Sequence, residues 1–413
     1  MKFKRICFLI AFVSLMLCAC SEGVGKTKEI SRVSVKSNLN DSSDRLSTHN
    51  LNIEDVDVAS TEEATEIDTE KEIIKVENHY EYVESIESKE QVDGVEYEIT
   101  EIEEIYEVPQ GTYNYCPSVI LGGELSMFYC SNTEPYTVRD SICYSNCNED
   151  ATLKNMSVVL SPTPGSWDSV HVCDPSVISG NFLYKGTNYK YLMAYLGCNS
   201  TDNQRNQIGF AVSNNLPYGW VKIDSNPIIQ CNYNENYSSF QWGVGQPSLI
   251  NLDGNGHVVL FYTEGTYNLT STKVSELDLS NLDNPTILNT VVLSNDGTND
   301  FISNGDFAIS GNTLYMICDT HPFGSGMLDC VPSGSAVYSC IWDYSVESLS
   351  SVTWVKIADV NNSTSGYGRN HNCGLYRDVY GNLADTKCIY TSGEEKSDFA
   401  SSLYTYRLRS FDW

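Results

Sequence analysis

Asp174-Pro175-Ser176-Val177-Ile178 decides the fold, because its pattern returns along the chain. Cys116-Pro117-Ser118-Val119-Ile120 precedes it and Gln246-Pro247-Ser248-Leu249-Ile250 follows it. Each copy leads to an apolar run that reads as a second strand: Ser126-Met127-Phe128-Tyr129-Cys130, Tyr191-Leu192-Met193-Ala194-Tyr195-Leu196 and Val258-Val259-Leu260-Phe261-Tyr262. Weaker copies start at Gly305-Asp306-Phe307-Ala308-Ile309 and at Asn372-Cys373-Gly374-Leu375-Tyr376. From Tyr113 onward, runs rich in Tyr, Val, Ile, Phe and Thr alternate with Gly, Asn, Asp and Ser clusters, an all-β pattern without helical periodicity. Copies spaced by roughly 60 to 70 residues leave room for four strands each, the size of a propeller blade. A blade buries both faces only against its neighbours, so repetition about an axis closes the structure. The expectation is an all-β chain carrying a five-bladed β-propeller over 111–413, weighed against recurring hairpins of a β-sandwich with no common axis. The first residues of each innermost strand then face a central cleft, and the reading puts Cys116, Asp174, Gln246, Asp306 and Asn372 there.

The other end of the chain has a different character. Met1-Lys2-Phe3-Lys4-Arg5 is cationic, and the apolar run from Ile6 to Leu17 is too short for a mature membrane span. Leu17-Cys18-Ala19-Cys20 then resembles a bacterial lipobox, which implies a signal peptide over 1–19, lipidation at Cys20 and a membrane anchor facing the extracellular or periplasmic side. Two acyl chains on one residue suffice for stable anchoring where one holds only marginally. The formal net charge of −29 gathers largely in the segment between Glu54 and Glu107, which reads as a self-repelling, disordered acidic tether over 20–110. Within it, Asp93-Gly94 suits a type I′ turn and leaves a small hairpin near 80–108 open. Beyond the signal peptide no basic cluster occurs, which argues against nucleic acid as a partner.

Twelve cysteines follow residue 110. An even count in an exported chain permits disulfides without specifying them, and Cys143 with Cys147, or Cys330 with Cys340, are the first pairs to test. Several others sit inside apolar runs, where cysteine serves as a small buried hydrophobe. The absence of Cys-x-x-Cys and His-x-x-x-His spacing speaks against zinc.

His171-Val172-Cys173-Asp174-Pro175-Ser176-Val177-Ile178, and Asn206-Gln207-Ile208-Gly209-Phe210-Ala211-Val212-Ser213 with Trp220, resemble the five-bladed propellers of family 43 glycoside hydrolases and their relatives. The similarity spans most of 113–413. It implies a base aspartate at the head of blade one, a tuning aspartate in blade two and an acid glutamate in blade three. Here Cys116 stands in the first place and Gln246 in the third. Glycoside hydrolysis normally uses two carboxyl groups flanking the scissile bond; glutamine cannot protonate a leaving oxygen, and a thiol is a poor carboxylate substitute. Asp174 keeps its place, and Asp306 or Glu264 would have to complete a catalytic pair. Trp167 and Trp242, on connections entering blades two and three, offer flat faces for sugar rings, with inter-blade packing as the competing role. Asp168 and His171 are close enough in sequence to orient Asp174. Arg369-Asn370-His371-Asn372 places four polar residues at the head of blade five, a costly run unless it meets water, a ligand or an ion. The resemblance implies calcium near the axis with His371 beside it, while a metal-free cleft histidine is an equally good reading of the residue itself; no other cofactor is expected. The expected partner is an oligosaccharide or polysaccharide, either hydrolysed or merely bound, with an adhesive or structural propeller as a third reading and a monomer as the default state.

Overall fold

The apolar runs behind each repeated segment are the second strands of antiparallel hairpins, and each hairpin grows outward into a four-stranded sheet. The computed structural model describes residues 102–104, 108–148, 152–201, 203–232, 241–265, 270–298, 301–320 and 334–413. Blade one comprises Asn114–Leu121, Leu125–Asn132, Asp140–Asn146 and Ser157–Leu160; blade two comprises His171–Tyr184, Thr187–Cys198, Gln207–Ser213 and Val221–Lys222. Blade three is built from Gly243–Asn251, His257–Gly265, Thr270–Asp278 and Thr286–Val292, and blade four from Asp306–Ser310, Thr313–Thr320, Gly334–Ile341 and Val355–Asn361. Blade five takes Arg369–Arg377, Leu383–Gly393 and Arg407–Asp412 from the end of the chain. Its outermost strand is Ile102–Glu104, paired antiparallel with Arg407–Asp412. That strand comes from the segment read as tether and pairs with the end of the chain; Asp93-Gly94 lies outside the described residues.

The fold is a five-bladed β-propeller, and its core explains why. Inner and second strands are buried on both faces, as in Leu125–Asn132, where every residue is buried. Such a sheet needs apolar partners on each side, and five clusters supply them, one per junction. Phe128 and Ile142 meet Val177 and Met193 between blades one and two, and Ile178 and Phe210 meet Leu249 and Leu260 between two and three. Phe261 stacks on Phe307 with ring centroids 3.9 Å apart between three and four. Ile317 and Val337 meet Leu375 and Tyr390 between four and five, and Met127 meets Ile389 and Leu408 where blade five returns to blade one. At that last junction the two innermost strands also pair in parallel, Tyr376 with Val119 and Arg377 with Ile120.

A buried arginine ties the inner strands together. Arg377, on blade five, donates from Nη2 to Ser176 Oγ of blade two at 3.2 Å and from Nη1 to Ser248 Oγ and Leu249 O of blade three, both at 3.1 Å. It also reaches Phe307 O at 3.0 Å and pairs with Asp306 of blade four at 3.1 Å. Asp306 further accepts from Ser248 Oγ and Leu375 N, so its carboxylate belongs to this internal clamp.

The bridge found differs from the sequence-based pairs. Cys130 of blade one joins Cys173 of blade two, with Cα atoms 5.3 Å apart, while Cys143 and Cys340 are free thiols and Cys330 lies outside the described residues. Cys143 and Cys147 are four positions apart along nearly extended chain, about 13 Å at ~3.3 Å per residue, well beyond disulfide reach.

Candidate functional site

Near the head of each innermost strand one residue is held at positive φ: Cys116 at 50°, Asp174 at 49°, Gln246 at 54°, Asn304 at 50° and Asn372 at 46°. In blades one, two, three and five the hairpin register skips at this point, between Tyr115 and Ser118, Cys173 and Ser176, Gly245 and Ser248, and His371 and Gly374. Such a bulge re-aims a side chain, and here it turns the head residues into the axial cleft. The head of blade four is therefore Asn304. Asp306, placed there by sequence, sits two residues further along, at the position of Ser118, Ser176, Ser248 and Gly374; it touches the floor of the cleft while its carboxylate turns to Arg377. Phe307-Ala308-Ile309 is similar to the apolar runs of the other blades, which puts Asp306 in the head's place in sequence. Asn304 itself was the available signal, since asparagine accepts the left-handed region more readily than most residues.

The heads hold one another. The Cys116 thiol donates to the Asp174 carboxylate, which also accepts from the backbone N–H of Gln246. Gln246 Oε1 accepts from Asn304 N at 3.0 Å, and Asn304 Oδ1 accepts from Asn372 Nδ2 at 3.0 Å. Beneath Asn304 and Asn372 lies Asp319, which sequence reading passed over inside the apolar run Met316-Ile317-Cys318. It is buried, accepts from Asn304 Nδ2 and accepts from Asn372 N at 2.9 Å.

The electrostatics follow from crowding. Asp174 keeps some surface open to the cleft, yet desolvation pushes its carboxyl up to about 6, partly offset by the Cys116 thiol and by Gln246 N–H. Burial likewise raises Asp319 well above the usual carboxylate range, against the hydrogen bonds from Asn304 and Asn372. Cys116 is raised well above an ordinary thiol, first by burial and then by Asp174. His371 is pushed down to about 3 by burial and by the neighbouring Arg369 cation.

The remaining residues singled out from sequence divide between cleft and core. Trp242 lies beside the cleft, against Leu196 and the cysteines 116, 130 and 173. Gly245 makes this approach feasible, because a Cβ there would come within 2.2 Å of Leu196. Trp167 belongs to the packing of blade two: it stacks on Tyr195 with centroids 5.7 Å apart and lies against Gly197 and Gly209. Asp168 is buried in an ion pair with Lys222 and accepts from Tyr195 Oη at 3.2 Å. His171 faces Asp140, with Nδ1 3.0 Å from its carboxylate, and Asp140 also accepts from Tyr113 and Tyr115. Arg369 is buried and donates to Tyr406 Oη at 2.8 Å, and His371 meets the same ring edge-on at 4.7 Å. Glu264 pairs with Lys273 at 3.2 Å, off the cleft lining.

These donors do not fit calcium. That ion takes six to eight oxygens and was expected beside His371, where the ring is buried and the Arg369 cation stands next to it. Among the described residues, the group of metal-capable donors that converges excludes His371.

No family sequence model matches the chain, and no curated protein matches it. Solved structures do. A complex of BT0996 with RGII matches at a TM-score of 0.52 and 12% identity, covering 82% of this chain and 94% of that one. A protein described as a glycoside hydrolase matches at 0.52 and 12%, covering 81% and 94%. Zg3597, a family 117 glycoside hydrolase produced by the marine bacterium Zobellia galactanivorans, matches at 0.51 and 10%, covering 77% and 90%. The fold is thus that of the propeller glycoside hydrolases.

Proposed function

We propose that this chain is a glycan-binding propeller, holding a saccharide at its axial cleft without hydrolysing it. One observation carries the reading: Asp174 meets Cys116 and Gln246 at the neighbouring heads, while Asp306 is paired with Arg377 and Glu264 with Lys273. Hydrolysis of the usual kind needs a second carboxyl group across the bond from the first. A cleft lined by the Asp174 carboxyl and the three carboxamides of Gln246, Asn304 and Asn372 is instead suited to reading hydroxyl orientation. The likeness of the fold to propeller glycoside hydrolases supports carbohydrate as the ligand class.

The test is a glycan array with the purified chain, followed by titration calorimetry on the best ligand and incubation with a panel of aryl glycosides. Saturable binding, weakened about tenfold or more by Gln246→Ala, with no turnover, is the expected outcome; tenfold corresponds to ~1.4 kcal/mol. A second reading has one specific support. A carboxyl at about 6 keeps part of its proton near neutrality, as a general acid must. Turnover abolished by Asp174→Asn would establish that hydrolase reading in place of the first.

The same proposal includes export and anchoring through Cys20, supported by the cationic start, the apolar run and Leu17-Cys18-Ala19-Cys20. Incorporation of labelled palmitate, lost in Cys20→Ala, is the expected result; a chain left unlabelled removes the anchor.

A further inference from the structure

Three cysteines and an aspartate converge where blade one meets blade two. Donor atoms of Cys116, Cys130, Cys173 and Asp174 all lie within 4.8 Å of one another, and the three cysteines are buried. The repeat explains how distant residues meet: Cys116 and Asp174 are consecutive heads, Cys173 precedes the second head, and Cys130 occupies the facing position on the neighbouring strand. At the other junctions the position of Cys130 holds Leu196, Thr263, Asp319 or Thr391, and that of Cys173 holds Tyr115, Gly245, Ser303 or His371. The full set of donors therefore occurs at this junction, and the sequence hides it because no two ligands share a short motif.

We propose that this junction is a binding site for a soft divalent cation of the Zn2+ class, loaded when the Cys130–Cys173 bridge is reduced. A tetrahedral ion with metal–sulfur bonds of ~2.3 Å needs its donors about 3.8 Å apart, a spacing within the reach of this cluster. Thiolates select such an ion over calcium or magnesium. Charge balance points the same way. With the bridge closed, the Cys116 thiol donates a hydrogen bond to the Asp174 carboxylate. With it open, three thiols and a carboxylate lie in a collar of Tyr115, Leu196 and Trp242, and a divalent cation offsets the charge that their deprotonation would otherwise leave buried. Opening the bridge takes two electrons, either from two thiols, which become a disulfide and give up their protons, or from a phosphine, which becomes its oxide while water supplies the oxygen and the two protons; it yields two thiols, and the metal then displaces the protons of all three thiols to solvent. The site shares Cys116 and Asp174 with the cleft of the glycan reading, but metal uptake is read without any saccharide, so failure of one leaves the other standing.

The experiment uses the full chain, freed of metal, with and without tris(carboxyethyl)phosphine, and titrates Co2+ as a spectroscopic stand-in for Zn2+. The reduced chain is expected to take one equivalent, with a near-ultraviolet thiolate-to-cobalt band and the red ligand-field bands of a tetrahedral site, both erased by Zn2+. The unreduced chain shows neither. Cys116→Ser lowers the near-ultraviolet band by about one third, as one of three thiolates is lost. Asp174→Asn shifts the ligand-field bands, and Cys143→Ser, outside the cluster, changes nothing. Equal uptake by reduced and unreduced wild type overturns the proposal without recourse to any variant. So does a folded, reduced chain that gives no cobalt spectrum, or one unchanged in Cys116→Ser and Asp174→Asn.

Discussion

Asp174 carries its carboxyl at about 6 because the folded chain strips water from it, and that displacement has a sign in stability. The folded state holds the proton more tightly than the unfolded chain, whose carboxyl lies near 4. The contribution is therefore complete below pH 4 and is lost as pH rises through 6. Two pH units of displacement correspond to about 3 kcal/mol. His371, pushed down to about 3, acts in the opposite sense: its contribution is complete above the ordinary histidine range and is lost as pH falls. The clean measurement is thus the difference between wild type and Asp174→Asn in urea unfolding at several pH values. The variant should gain on wild type between pH 4 and 6, levelling off at up to about 3 kcal/mol, less what its lost hydrogen bonds contribute. A difference that does not vary with pH would show that the carboxyl is not displaced. At this scale the sequence was legible where proline follows the head, as at Cys116, Asp174 and Gln246. It was misleading at blade four, where Gly305 replaces proline and Asp306 drew attention from Asn304. Asp319 was invisible because its place under two heads depends on the ring closing, not on any neighbour in sequence.

The innermost strands meet at Arg377, whose guanidinium bonds blades two, three and four from blade five. A buried ion pair is weak evidence for net stability, but removing one partner strands the other charge. Arg377→Met should therefore cost about 3–5 kcal/mol, leaving Asp306 with only Ser248 Oγ and Leu375 N. Adding Asp306→Asn should recover part of that loss, because the stranded charge is gone. Chemical denaturation of both variants checks this, and a double variant no better than the single one would assign the cost to lost packing. The strands themselves were readable, since short continuous apolar runs between Gly, Asn, Asp and Ser clusters leave little else to build. Their cross-links were not. Cys130 and Cys173 are 43 residues apart and meet only after two blades have formed, whereas the pairs suggested by sequence were chosen for nearness along the chain.

Ring closure governs the molecule as a whole. Five apolar junctions join five blades, so each blade has two neighbours, and the last junction is sealed by the parallel pairing of Tyr376 with Val119 and Arg377 with Ile120. That arrangement followed from counting repeats, because blades with two apolar faces have no stable edge to leave exposed. The contribution of Ile102–Glu104 to blade five did not follow, since the hairpin left open near 80–108 named no partner strand in the propeller. In an open array the loss of one junction leaves the blades on either side able to melt separately. In a closed ring it removes support from both directions, and the whole propeller should unfold together. Phe307→Ala isolates this property, because Phe307 stacks on Phe261 at 3.9 Å and is fully buried at the junction of blades three and four. Truncating a buried phenylalanine costs about 3–5 kcal/mol. Calorimetry should then show one transition moved to lower temperature, with the ratio of calorimetric to van't Hoff enthalpy unchanged from wild type. Division of the melt into two transitions would mean that the blades flanking the damaged junction hold together without it, and that closure does not couple them.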